Sequence, residues 1–149
     1  IAGELTGQKL EKISIETVQW GIWKKLHEGS QVLNRNNGFE RPYGRDPYGS
    51  YYSSDAILFP VDKKDDKIPY KIFVFGIRAN GISKAYKESD LINKKIIEDS
   101  LNGTRIRIER ESSGAVKTIN LETNEEIIED RVFWFIWYAF HPETEIYGE

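Results

Sequence analysis

The chain has 149 residues, of which 39% are hydrophobic, 30% charged and 13% aromatic, enough to build a core and too rich in rings for a disordered chain. A formal charge of −3 gives no general attraction for phosphate backbones, so nucleic acid is not an expected partner. Cysteine is absent, which excludes disulfides, thiolate metal sites and cysteine nucleophiles, and no apolar run reaches the roughly 18–20 residues that span a bilayer.

The chain starts at Ile1 and contains no methionine, so it reads as a mature form or fragment of a longer protein, with residues 1–149 forming one domain. Lys9 to Ile13 alternates polar and apolar residues as a half-buried strand does. A helix is expected from Ser14 or Glu16, because Val18, Ile22, Trp23 and Leu26 follow helical spacing, with Gly29 placed to end it. Gln31 to Leu33 reads as a short strand, and residues 34 to 54 as a long loop in which Pro and Gly alternate with five rings. Ala56 to Val61 reads as another strand, and Asp62 to Lys67 as an exposed connection.

The segment Tyr70 to Tyr86 is a β-hairpin turning at Asn80-Gly81, because both central residues of that tight turn need positive φ. Ser89 to Lys94 is a short helix, and Asn102-Gly103 and Ser113-Gly114 flank an alternating strand, Thr104 to Glu109, whose antiparallel partner is Ala115 to Leu121. A last helix, Asp130 to Phe140, stops at Pro142, and Thr144 to Tyr147 closes the chain as a strand. The expected fold class is α+β: an antiparallel, β-rich single domain with two Trp/His helices packed on the sheet.

Those two helices carry every tryptophan and histidine of the chain. Trp20, Ile22, Trp23 and His27 align with Trp134, Ile136, Trp137 and His141 at a constant offset of 114 residues. An internal repeat of residues 18–33 in residues 132–147 is the expectation. In each copy the two indoles and the imidazole share a helical face, as core anchors do, with the histidine near the last carbonyls. The alternative brings His27 and His141 together at a pseudo-twofold axis, as divalent metal ligands or as a hydrolase-like acid/base pair. Two imidazoles are an incomplete site, so Glu28, Glu143 or Asp46 would have to join them.

The other candidate is the loop Arg41 to Tyr52. Tyr43, Arg45, Asp46, Tyr48 and Tyr51 suit an anionic or ring-shaped ligand, with guanidinium for charge and tyrosine for stacking and hydroxyl contacts. The competing reading is a rigid cover for the end of the sheet, in which Arg45 and Asp46 pair locally. No P-loop, dinucleotide, GxSxG or HExxH motif occurs.

With the WxIWxxxH unit, the loop GRDPYGSYY, the stretch GIRANGISKAY and the ending FHPETEIYG, the chain resembles a bacterial and archaeal family catalogued as domain of unknown function number 3179. The resemblance covers nearly the whole chain and brings no established activity. It differs in lacking the family's upstream cysteine segment and in reading His27-Glu28 where the family has His-Pro, which His141-Pro142 keeps. The resemblance implies an extracytoplasmic location. The leading expectation is a non-catalytic binding or scaffold domain that uses the Tyr/Arg loop on a small molecule or protein. A metal-binding enzyme using His27 and His141, and a structural subunit of a homo-oligomer or larger assembly, are the alternatives.

Overall fold

In the computed structural model, residues 2–149 are described. In chain order they form α1 (Trp20–Leu26), a 3-10 turn (Gly49–Ser53), β1 (Phe73–Ala79), β2 (Ile82–Lys87), α2 (Glu88–Lys94), β3 (Ile96–Leu101) and β4 (Thr104–Arg110). β5 (Val116–Asn120), β6 (Glu126–Ile127), β7 (Asp130–Phe133), α3 (Trp134–Phe140) and β8 (Glu145–Ile146) complete them. The strands form two sheets, in the orders β7-β1-β2-β8 and β3-β4-β5-β6. All pairings are antiparallel except β2 with β8, which is parallel. The class is α+β, as expected.

Side-chain alternation on β1 and β2 builds a core on each face of the first sheet. Val74 and Ala85 join Ile68, Trp134, Trp137 and Ile146, so α3 covers one face. Phe75, Ile77 and Tyr86 join Ile97, Leu101, Ile106, Ile108, Val116 and Leu91, so the second sheet and α2 cover the other. The first sheet is the middle layer. Gly76 lies under α3, where an added Cβ would come within 2.2 Å of the Trp137 ring. Only glycine admits the indole at that distance.

Both Asn-Gly hairpins form with positive φ at each central residue, 46° and 80° at Asn80 and Gly81, 46° and 87° at Asn102 and Gly103. The second joins β4 to β3, a strand the sequence pattern did not reveal. The two tips hold each other through Asn80 Nδ2 donating to Asn102 O and Asn102 Nδ2 donating to Asn80 O. Deeper in, Asp99 of β3 accepts from Tyr86 Oη at 2.9 Å and pairs with Lys84 Nζ at 2.8 Å, a clasp between the sheets.

Several expected boundaries change. Asp130 to Phe133 is strand, because its backbone completes the edge of β1 before the helix begins. Residues 9–13, 31–33 and 56–61 are unpaired, and Leu10 is 98% exposed, so their alternation has no neighbouring strand to satisfy it. The first helix starts at Trp20, after an extended segment tied to the second sheet by Gln19 N–H donating to Ser113 O. α3 packs on β1 and β7, whereas α1 buries none of its residues.

Candidate functional site

The Arg41 to Tyr52 loop is held by its own short-range bonds. Asp46 Oδ1 accepts from Tyr48 N–H at 2.9 Å, an Asx turn that leads into the 3-10 turn. That turn gathers Tyr48, Tyr51 and Tyr52, with ring centroids 6.3 to 6.4 Å apart. From Tyr52 the rings continue to Phe133 at 6.2 Å and then to Phe73, stacked on Phe133 at 4.5 Å. Lys71, just ahead of β1, anchors the turn by donating to Tyr51 O and Ser54 O, with its ammonium 3.5 Å from the Tyr51 ring centre.

Tyr43 stands apart from that cluster. Its hydroxyl accepts from Asn37 Nδ2, and it lines a shallow cleft with Arg35, Asn36, Gly38, Phe39, Glu40 and Arg41. Among the described residues Arg35, Arg41 and Arg45 make no ion pair, and Arg41 lies 5.8 Å from the Phe39 ring centre. The local Arg45–Asp46 pair does not form; Asp46 accepts from the Tyr48 backbone N–H. The structure thus brings Tyr48 and Tyr51 together and places Tyr43 apart from them in the cleft; Arg45 lines neither group. Lys71, Phe73 and Phe133, distant in sequence, were not legible as members of the ring array.

The two Trp/His helices share their detailed geometry. Each has seven residues, an extended residue before it, and a histidine after it with φ/ψ of −125°/65° at His27 and −133°/66° at His141. In each the histidine N–H donates to the carbonyl of the second tryptophan and the N–H three residues on donates back to the histidine carbonyl. The imidazole lies on that tryptophan, 4.4 Å between ring centres for Trp23 and His27 and 4.1 Å for Trp137 and His141.

The imidazoles themselves line different clefts. His27 is grouped with Trp20, Lys24 and Glu28, and His141 with Arg78, Asn80 and Ser83 at the β1–β2 turn. Burial, then the nearby Arg78 charge, holds His141 below the ordinary histidine range, so it is neutral at neutral pH. No group of three or more His, Asp or Glu side chains able to hold a metal occurs among the described residues. Glu28, Asp46 and Glu143 therefore complete no such group with the histidines.

A third feature has no signature in the sequence. Residues 12–19 run beside both sheets, tied by Lys12 to Asp130 of the first and by Ser14 to Glu126 and Glu16 to Lys117 of the second. Beneath them Ile15, Thr17, Phe75, Val116, Glu129 and Arg131 enclose a cavity of about 20 Å³, room for one water. Glu129 Oε2 is buried without a hydrogen-bond partner among the described residues, and burial pushes its carboxyl above the ordinary range. The cavity is too small for an organic ligand.

Residues 1–124 match the model of one family, described as "Protein of unknown function (DUF3179)". That span holds the loop, α1 and most of both sheets, and ends before β6 and the α3 unit. No curated protein matches the chain, and neither does any solved structure.

Proposed function

The chain belongs to the DUF3179 family, and we propose that it is a non-catalytic, extracytoplasmic binding or scaffold module that takes a ring-bearing anion at the Arg35 to Tyr52 loop. One observation carries this reading: Arg35 and Arg41, without carboxylate partners among the described residues, line one cleft with the exposed rings of Phe39 and Tyr43. Guanidinium meets carboxylate or phosphate bidentately, and tyrosine faces stack on rings at low entropic cost. The extracytoplasmic part rests on the family resemblance.

The metal-dependent alternative keeps less support, because His27 and His141 occupy different clefts. The repeated helix geometry supports a second element of the reading: residues 18–33 and 132–147 are copies of one structural unit, in which histidine caps the helix and packs on tryptophan.

Titration with phenyl phosphate and with a uronic-acid disaccharide, followed by tyrosine and tryptophan fluorescence, tests the site. Saturable binding of either probe, weakened tenfold or more (about 1.4 kcal/mol) by Arg41→Ala or Tyr43→Ala at unchanged Tm, is the expected result. Absence of binding by both probes, or unchanged affinity in Arg41→Ala and Tyr43→Ala, would remove the reading.

A further inference from the structure

The two Trp/His units have the same backbone and opposite surroundings. Trp134 is 1% exposed and Trp20 51%; Ile146 is 6% exposed and its counterpart Val32 60%. Trp137 is buried against Gly76, while Trp23 is half-buried and has no sheet beneath it. Leu26 and Phe140, which occupy equivalent places on the outward side, are 67% and 78% exposed.

Trp137 Nε1 donates to Thr144 Oγ1; Ser30 stands at the position of Thr144, and its hydroxyl donates to His27 O. α1 therefore presents a sheet-binding face, and α3 displays what covers such a face. The cover is an antiparallel hairpin, extended by an edge strand from the unit itself, with a glycine under the second indole.

We infer that the α1 unit, residues 16–33, docks on a second β-hairpin of the β1–β2 kind, carried by the same polypeptide ahead of it. This rests on the repeat reading and is independent of the ligand proposed for the loop. The occupant is not the hairpin of another copy of this chain, because there α3 already covers the face. The spacing supports a position in the same polypeptide. β1 and β2 lie 47 to 61 residues before Trp134, and the constant offset puts the corresponding hairpin at that distance before Trp20, ahead of Ile1. Residues 16–19 then serve as its edge strand, as β7 does for β1. Gly21 stands where Phe135 is buried, so the occupant fills that space with a side chain of its own.

A tandem chain tests this directly: residues 34–129 fused to the N-terminus of residues 16–149, which supplies the α1 unit with a copy of the hairpin at the required distance. Residues 34–129 contain no tryptophan, so all emission still comes from Trp20, Trp23, Trp134 and Trp137. The acrylamide-accessible fraction of that emission is expected to fall roughly two-fold or more relative to the 149-residue chain. Gly76→Val in the added copy alone is expected to restore it, because the valine would occupy the place of the Trp23 ring. A second tandem with Gly21→Phe covers the case in which the small residue leaves the graft too loosely packed to fold. Unchanged accessibility in a folded tandem, insensitivity to the added Gly76→Val, or failure of both tandems to fold would overturn the inference. Probe binding by the 149-residue chain is unaffected by any of these results, so the loop reading stands or falls separately.

Discussion

Single atoms set two limits in this molecule. The Cβ that glycine lacks at position 76 is what allows Trp137 onto the sheet, so Gly76→Ala is expected to destabilise by about 3 kcal/mol, read from denaturant unfolding. A wild-type midpoint for that variant would show that α3 can lift without cost. Glu129 has the opposite character: its carboxyl is raised by burial, so the folded state holds the proton more tightly than the unfolded state. Its contribution is complete below the ordinary carboxyl value of 4.5 and is lost as pH rises through the higher folded value. Glu129→Gln is therefore expected to raise Tm by a few degrees at pH 7 and to leave it unchanged near pH 4. A loss of Tm at pH 7 would mean that the ionised carboxylate is held by a partner.

At the scale of elements, burial separates two helices that sequence makes nearly equal. Trp134→Ala removes a buried indole and should cost about 3–5 kcal/mol, whereas Trp20→Ala in the 149-residue chain should change stability by no more than about 0.5 kcal/mol. Comparable losses in urea melts would contradict the exposed position of α1. The Asn80-Gly81 hairpin turn and the strand β4 were legible because each follows a local rule: positive φ at a tight turn, or alternation with period two. β7 was not, since Val132 to Trp137 is apolar throughout, and a continuous apolar run fits strand and helix equally. The opposite feature hid β3, whose consecutive polar residues Glu98, Asp99 and Ser100 separate the buried Ile97 and Leu101.

Across the whole molecule, Asp99 joins the two sheets. Burial disfavours its charge, but bonds from Lys84, the Ser100 N–H and Tyr86 outweigh that and hold the carboxyl below the ordinary range. Lys84 is raised in turn: burial opposes its charge, and Asp99 and Glu145 more than offset it. A depressed carboxyl adds stability above its unfolded value of 3.8 and loses it as pH falls further through the folded value. A raised lysine adds stability up to 10.5 and loses it as pH climbs above that. Asp99→Asn is thus expected to cost about 2 kcal/mol at pH 7, with a smaller deficit below pH 3, measured by calorimetry across pH. An equal deficit at both pH values would place the effect in packing rather than charge.

The 114-residue offset, the α+β class and the presence of an aromatic, arginine-bearing loop were all determined by sequence, because repeats, periodicity and composition are properties of the chain itself. Which residues complete the ring array beside Tyr52 was decided by the sheet, which brings Phe133 and Phe73 together from positions 60 residues apart. The role of Asp46 was decided by the local backbone, whose Tyr48 N–H it accepts in an Asx turn. The unequal burial of two matching helices was decided by a neighbour: an amphipathic face specifies what it needs to cover, while only the tertiary arrangement supplies the cover.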